Sequence, residues 1–154
     1  MIAVIQRVKK TALTANGTPY SEIGHGFLVL LGVLSGDDVT DAKLLAEKIT
    51  KLRVFSDENG KMNLSLNDVG GEVMIVSNFT LAANYRHGNR PDYLRAAPPV
   101  EAERLYRLFL DFVSETGIPT ASGVFGADMQ IQTTADGPVT IVMDSAVLRK
   151  EPKL

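Results

Sequence analysis

The stretch Phe27-Leu28-Val29-Leu30-Leu31-Gly32-Val33-Leu34 is the longest apolar run in this chain of 154 residues. A continuous apolar run of this length is typical of a β-strand buried on both faces, because a half-buried strand alternates apolar and polar residues. A membrane-spanning helix needs about 20 apolar residues, far more than this run supplies. The run therefore predicts a fully buried strand and argues against a membrane segment.

Strands are also predicted ahead of this run. Residues 2–8 show the period-two alternation of a half-buried strand. Asn16-Gly17 then indicates a tight hairpin turn, because both residues tolerate the positive backbone angles that such turns require. The turn would join a strand over residues 11–15 to a strand over Thr18–Ile23.

The second half of the chain adds shorter strand signals. Residues 73–76 form an apolar run directly after Gly70-Gly71. From Thr120 onwards the pattern predicts two strands around a turn at Asp136-Gly137, because glycine and aspartate favour turns. The second of these strands would cover residues 139–143.

Two helices are predicted between the strands. Asp37-Asp38-Val39-Thr40 supplies capping side chains and early negative charge, while Pro98-Pro99 suits the first turn of a second helix that Gly117 ends. Their apolar positions at helical spacing are Ala42, Leu45, Ala46, Ile49, Leu105, Leu108, Phe109, Phe112 and Val113. The whole pattern predicts an α+β fold in a single domain over residues 1–154, with a strand-rich, barrel-like or strongly curved sheet packed by two main helices.

Composition limits the possible functions. The chain is 45% hydrophobic and 22% charged, as soluble globular proteins are, and it has no cysteine. Disulfides, thiolate nucleophiles and cysteine-ligated metals are therefore excluded. The first residues lack the charged start and cleavage site of a signal peptide, so we expect a cytoplasmic protein without a membrane partner.

The net charge of −2 argues against a general nucleic-acid binder, which normally carries a basic face. One local exception is the segment Arg86-His87-Gly88-Asn89-Arg90-Pro91-Asp92-Tyr93-Leu94-Arg95, with three arginines and one aspartate. Arg86, His87, Arg90 and Arg95 are thus candidates for RNA contact. A merely solvated loop is the alternative.

Several kinds of catalytic site are absent from the sequence. Neither of the two histidines belongs to an HExxH pair, and His25 suits a turn in Gly24-His25-Gly26. No acidic cluster has metal-ligand spacing, and no nucleophile elbow or phosphate-binding loop is present. We expect no metal and no cofactor. Any catalysis would depend on positioning, on backbone donors and on groups of the substrate itself.

Two segments contain polar residues in unusual positions. Ser77-Asn78-Phe79-Thr80-Leu81 follows a predicted strand and could present hydroxyl, amide and N–H groups to a ligand. Ala135-Asp136-Gly137-Pro138-Val139-Thr140 would by itself indicate only a turn. Each segment alone is equally compatible with a structural role.

Taken with the rest of the chain, these segments resemble the bacterial and eukaryotic D-aminoacyl-tRNA deacylases. The resemblance extends over essentially the whole length. Its further motifs are Ala3-Val4-Ile5-Gln6-Arg7-Val8, Leu28-Val29-Leu30-Leu31-Gly32-Val33, Gly60-Lys61-Met62-Asn63-Leu64-Ser65, Val69-Gly70-Gly71-Glu72-Val73, Ala96-Ala97-Pro98-Pro99 and Gly123-Val124-Phe125-Gly126-Ala127-Asp128-Met129.

The resemblance implies a homodimer with two active sites at the subunit interface. It implies that the Gly137-Pro138 bond is cis and enters the pocket of the partner subunit. There its flanking carbonyls would hold the substrate ammonium, and the rigid segment would exclude the side chain of an L-amino acid. Arg7 would brace this segment; the alternative is a solvent-facing strand residue. A pocket that selects in this way would also accept glycyl-tRNA, including tRNA-Ala mischarged with glycine, because glycine has no side chain to exclude.

The other wall of the pocket is implied to be Ser77, Asn78, Phe79 and Thr80, where Asn78 replaces the usual glutamine. Phe79 would supply an N–H group and apolar surface near the ester, and Thr80 is the nearby hydroxyl. Without a visible partner base, hydrolysis assisted by the 2′-hydroxyl of the terminal adenosine is favoured over nucleophilic attack by Thr80. Phe125 and Met129 match pocket positions, although both would also suit the core.

Three further departures from the family pattern are Ala135 for asparagine, Asp92 for serine and Tyr93 for phenylalanine. They lie around the implied pocket rim and basic loop. Together with Asn78 they leave open a binding module that has lost hydrolysis. An esterase acting on small D-amino acid esters or D-peptides is a second alternative, disfavoured because such substrates carry no neighbouring 2′-hydroxyl.

Overall fold

The computed structural model describes residues 1–150, which form eight strands, three α-helices and two short 3-10 helices. The strands are β1 (Ile2–Ala15), β2 (Thr18–Ile23), β3 (Gly26–Gly32), β4 (Phe55–Ser56), β5 (Met62–Leu64), β6 (Glu72–Ser77), β7 (Thr120–Ser122) and β8 (Met129–Asp144). The helices are α1 (Val39–Thr50), α2 (Leu66–Val69) and α3 (Pro99–Ser114), and the 3-10 helices are Phe79–Ala82 and Ser145–Leu148.

The long strand β1 organises a nearly closed sheet. One of its edges pairs with β8, and the other pairs first with β3 and then with β2, all antiparallel. β3 pairs in parallel with β6, and β6 pairs in parallel with β7. The hydroxyl of Ser21 on β2 donates to the carbonyl of Ser122 on β7 at 2.7 Å. The predicted barrel-like α+β fold with two main helices is confirmed.

The central strand β3 is buried on both faces, as its sequence predicts. Phe27, Val29 and Leu31 pack towards α1 and α3 in the larger apolar cluster. Leu28 points the other way, into the barrel interior, where it packs with Met74. A strand between two apolar layers has no polar face, which explains its unbroken apolar sequence.

Both main helices begin where the sequence predicts. The carboxylate of Asp38 accepts from the N–H of Thr40 at 2.8 Å, and the carboxylate of Asp41 accepts from the N–H of Asp38 at 2.9 Å. This reciprocal cap fixes the start of α1. α3 starts at Pro99 and ends at Ser114, three residues before Gly117. No helix in residues 1–150 is long and apolar enough to span a membrane.

The predicted turn at Asp136-Gly137 is wrong. Residues 129–144 form one strand, and both of its halves pair with β1: Ala135 lies opposite Val8, and Thr140 lies opposite Gln6. Pro138 has no N–H to donate, so the ladder is interrupted there and its register shifts. The chain does not reverse, because β1 offers a pairing edge on both sides of the interruption.

Candidate active site

A cavity of about 720 Å³ opens at the carboxyl ends of β3 and β6. Its lining residues are Leu31, Val33, Ser77, Asn78, Phe79, Tyr93, Leu94, Ala96, Ala97, Pro98, Pro99, Ala102, Tyr106, Phe125, Gly126, Ala127 and Met129. Five of the predicted site residues are among them: Ser77, Asn78, Phe79, Phe125 and Met129. A largely apolar cavity with a few polar groups suits a small-molecule moiety of a substrate.

One wall begins where β6 ends at Ser77. The N–H of Asn78 donates to the carbonyl of Leu31 at 2.8 Å, which ties the end of β6 to β3. The chain then turns into the 3-10 helix Phe79–Ala82. The side chain of Phe79 is 60% exposed, and its ring meets that of Tyr93 edge to face, with centroids 5.2 Å apart. An aromatic ring exposed at a cavity mouth is available to a ligand.

Thr80 lies beside the cavity and is not part of its lining. Its hydroxyl donates to the side-chain carbonyl oxygen of Asn78 at 2.5 Å. No histidine or carboxylate within residues 1–150 hydrogen-bonds to Thr80. A hydroxyl without a neighbouring base is a poor nucleophile. The short side chain of Asn78 thus engages Thr80, which sequence reasoning did not foresee.

The opposite wall is formed by α3 and the loop that leads into β8. The hydroxyl of Tyr106 on α3 donates to the carbonyl of Ile75 at 2.8 Å, and the N–H of Gly123 donates to the same oxygen at 3.2 Å. Burial raises the pKa of Tyr106 to about 12, so this hydroxyl stays protonated at neutral pH. These bonds fix the start of the loop that carries Phe125. Sequence reasoning missed Tyr106, because nothing distinguishes it from an ordinary core residue of α3.

Gly137 and Pro138 are not at the cavity of their own chain. Their peptide bond is cis, and both residues are exposed. They lie beside Arg7, which pairs with Phe27 near the start of β3, whereas the cavity begins at Leu31. Four residues of a strand, at about 3.3 Å each, separate the two positions by about 13 Å. Within one chain, the predicted site is therefore divided into two parts.

Arg7 braces the segment next to Gly137, and it is not a solvent-facing strand residue. Its Nε donates to the carbonyl oxygen of Asp136 at 3.1 Å, and one terminal nitrogen donates to the carbonyl of Val54 at 2.7 Å. His25 sits in the bend before β3, as predicted. Its Nε2 also lies 4.0 Å from the Asp136 carboxylate, a contact that sequence reasoning did not provide.

The four basic candidates, Arg86, His87, Arg90 and Arg95, are exposed on the loop that borders the cavity. Backbone bonds between Asn84 and Asp92, at 2.8 and 3.0 Å, close the part of this loop that carries Arg86, His87 and Arg90. None of the four lines the cavity.

The family profile that matches the chain is D-Tyr-tRNA(Tyr) deacylase, over residues 4–144. The D-aminoacyl-tRNA deacylase of Geobacter sulfurreducens is 52% identical over 145 residues, which cover 94% of this chain and 95% of that protein. The D-aminoacyl-tRNA deacylase of Thermomicrobium roseum is 50% identical over 149 residues, covering 97% of each chain.

Two solved structures share the fold of this chain. The c-Myc DNA Unwinding Element Binding Protein superposes with a TM-score of 0.88 at 41% identity, covering 94% of this chain and 98% of that one. A probable eukaryotic D-amino acid tRNA deacylase shares the fold, with a TM-score of 0.77 at 18% identity over 92% of this chain and 97% of that one. The resemblance found in the sequence is thus confirmed, and this chain belongs to the D-Tyr-tRNA(Tyr) deacylase family of ester hydrolases.

Proposed function

We propose that this chain hydrolyses the ester bond of D-aminoacyl-tRNA, releasing the free D-amino acid and tRNA. The observation that carries the proposal is the cavity at the end of β6. It combines Ser77, Asn78 and Phe79 with Phe125 and Met129 in a chain of this family. We expect this work to take place in the cytoplasm, where it would remove wrongly charged tRNA from translation.

The proposed active enzyme is a homodimer in which each subunit completes the other's site. Two features of the single chain support this. Gly137 and Pro138 are exposed and about 13 Å along the sheet from their own cavity. In addition, the outer edge of β8 has no partner strand within residues 1–150, and Val142 on this strand is 68% exposed. An unpaired strand edge is suited to association with a second copy.

In this dimer, Gly137-Pro138 of one subunit would enter the partner's cavity and hold the substrate ammonium. The segment would leave no room for the side chain of an L-amino acid, and Arg7 would keep it in position. Selection by exclusion has a chemical consequence, because glycine has no side chain to exclude. We therefore expect glycyl-tRNA to be hydrolysed as well, including tRNA-Ala mischarged with glycine.

The proposed reaction is attack of a water molecule on the ester carbonyl carbon. The bond to the ribose oxygen then breaks, and the departing oxygen receives a proton, with the neighbouring 2′-hydroxyl assisting. The N–H groups of Phe79 and Thr80 begin a 3-10 helix and have no backbone acceptor within residues 1–150. Such free donors would stabilise the negative oxygen of the intermediate.

The partner in this proposal is aminoacylated tRNA, bound through its terminal adenosine. Arg86, His87, Arg90 and Arg95 would contact the RNA next to the cavity, because their loop is positively charged and borders it. Neither a metal nor a cofactor takes part in the proposed reaction.

The test compares D-tyrosyl-tRNA and L-tyrosyl-tRNA, incubated side by side with the purified protein and excess chelator. We expect rapid loss of the D-ester alone, relative to a control without protein. Loss of neither ester, from a folded protein that still binds tRNA, would instead support a binding module without hydrolysis. Comparable loss of a D-amino acid methyl ester would support an esterase for small substrates.

A further inference from the structure

Two tyrosines line the cavity, and their hydroxyl groups differ. The Tyr106 hydroxyl is buried and bonded to the carbonyl of Ile75. The ring of Tyr93 is held edge to face against Phe79, but its hydroxyl makes no hydrogen bond with any other group in residues 1–150. Tyr93 therefore brings a fixed ring and a free polar group to a mainly apolar cavity.

The backbone around Tyr93 is held firmly by its neighbours. The carboxylate of Asp92 accepts from the side-chain amide of Asn84 at 2.9 Å and from the N–H of Leu94 at 3.2 Å. The two backbone bonds between Asn84 and Asp92 reinforce this position. A side chain on a fixed backbone, with a packed ring, can present its hydroxyl to a ligand at little cost in entropy.

The position of Tyr93 indicates which part of a substrate it faces. Its ring touches Phe79, which we place next to the scissile ester. Its loop carries Arg90 and Arg95, which suit the phosphates of an RNA strand. In an aminoacylated RNA, the group between the ester and the phosphates is the terminal nucleoside.

The other polar groups of this wall are less suited to that contact. The side-chain carbonyl of Asn78 is occupied by the Thr80 hydroxyl, and Ser77 belongs to the end of β6 and not to the arginine-bearing loop. We propose that the Tyr93 hydroxyl hydrogen-bonds the terminal adenosine of the substrate and thereby favours a nucleoside ester over other esters. This inference rests on the proposed function, whose substrate site it extends.

The test uses Tyr93→Phe in the full-length protein, because this change removes only the hydroxyl and keeps the ring against Phe79. A single net hydrogen bond predicts a KM for D-tyrosyl-tRNA about three- to tenfold higher, with little change in kcat. We expect the same increase in KM for D-tyrosyl adenosine. We also expect it for the tRNA and adenosine esters of D-alanine. Tyr20→Phe is the matched control, since Tyr20 is exposed on β2 outside the cavity and should leave both constants unchanged.

Different outcomes overturn different statements. If the wild type hydrolyses neither substrate, the proposed function fails, and this inference fails with it. If the wild type is active and the KM of Tyr93→Phe equals the wild-type KM for each of the two substrates, only the inference about Tyr93 fails. A penalty that appears with tRNA but not with the adenosine ester would overturn it too, as would a penalty that depends on the amino-acid side chain. Equal melting temperatures of variant and wild type would show that the fold is unchanged.

Discussion

Arg7 on β1 holds Asp136 on β8 at two points. Its Nε donates to the Asp136 carbonyl oxygen at 3.1 Å and lies 3.3 Å from one carboxylate oxygen. The side chain of Arg7 is only 11% exposed, so solvent screens these contacts little. Asp136 directly precedes Gly137, so β1 fixes the segment that we propose for the partner's site.

Replacement of Arg7 by methionine should therefore affect both stability and chirality. The loss of charge-assisted bonds predicts a free energy of unfolding lower by about 1–3 kcal/mol, measured by urea denaturation. With Asp136 unbraced, we expect the ratio of D- to L-tyrosyl-tRNA hydrolysis to fall. Lys9→Met, an exposed change on the same strand, serves as the control. An unchanged D-to-L ratio in a folded Arg7→Met protein would contradict the bracing role.

Thr80→Ala should keep most of the wild-type kcat, because the Thr80 hydroxyl donates to Asn78 and has no partner base within residues 1–150. A D-aminoacyl-tRNA ending in 2′-deoxyadenosine should instead react at least about a hundredfold more slowly, as expected when a proton-transferring group is removed. Single-turnover rates with both substrates measure the two effects. The opposite pattern would restore Thr80 as the nucleophile.

Phe79→Ala should separate function from stability. The ring is 60% exposed, so its loss should lower the free energy of unfolding by less than about 1.5 kcal/mol, including the edge-to-face pair with Tyr93. We expect kcat/KM for D-tyrosyl-tRNA to fall about tenfold or more, equivalent to roughly 1.4 kcal/mol of lost transition-state stabilisation. Met62→Ala, at a similarly exposed apolar residue outside the cavity, should retain full activity. If kcat/KM is equal in the two variants, the ring of Phe79 does not contribute to the active site.

Asp41→Asn should weaken the fold in a pH-dependent way. The bonds from Arg149 hold the pKa of the Asp41 carboxyl well below its ordinary value of 3.8, and the hydroxyl of Ser145 donates to the same group. A carboxyl whose pKa is lowered in the folded state stabilises the fold at pH values above its unfolded-state pKa. This stabilisation is lost as the pH falls through its folded-state pKa.

The expected result is a free energy of unfolding that is lower in Asp41→Asn than in wild type at pH 7. The difference should shrink as the pH is lowered below about 4, since Asp41 of the unfolded wild-type chain then gains a proton while the folded state still holds the charged carboxylate. Urea denaturation between pH 2 and pH 7 measures this. The control is Asp111→Asn, an exposed change on α3 whose carboxylate makes no hydrogen bond within residues 1–150. A difference that is constant over this pH range would disprove the contribution of the charge.

Local sequence signals predicted most of the elements correctly. The apolar run predicted β3, Asn16-Gly17 predicted the first hairpin, and Asp38 predicted the start of α1. Each of these depends on residues a few positions apart, whose spacing is visible in the sequence. The turn expected at Asp136-Gly137 was wrong, because these residues interrupt the pairing of one long strand without reversing it when a distant strand offers its edge.

The sequence by itself determined the buried central strand, since this depends on residue type and short spacing. It also determined the family, and the resemblance to that family implied the wall residues Ser77, Asn78 and Phe79. Only the tertiary structure decided which residues meet across long separations. The hydrogen bond of Tyr106 to Ile75 joins positions 31 residues apart, and that of Arg7 to Asp136, which only the family resemblance had implied, joins positions 129 apart. The cavity and Gly137-Pro138 lie about 13 Å apart along the sheet because strand register sets their places, and register depends on the packing of the whole chain.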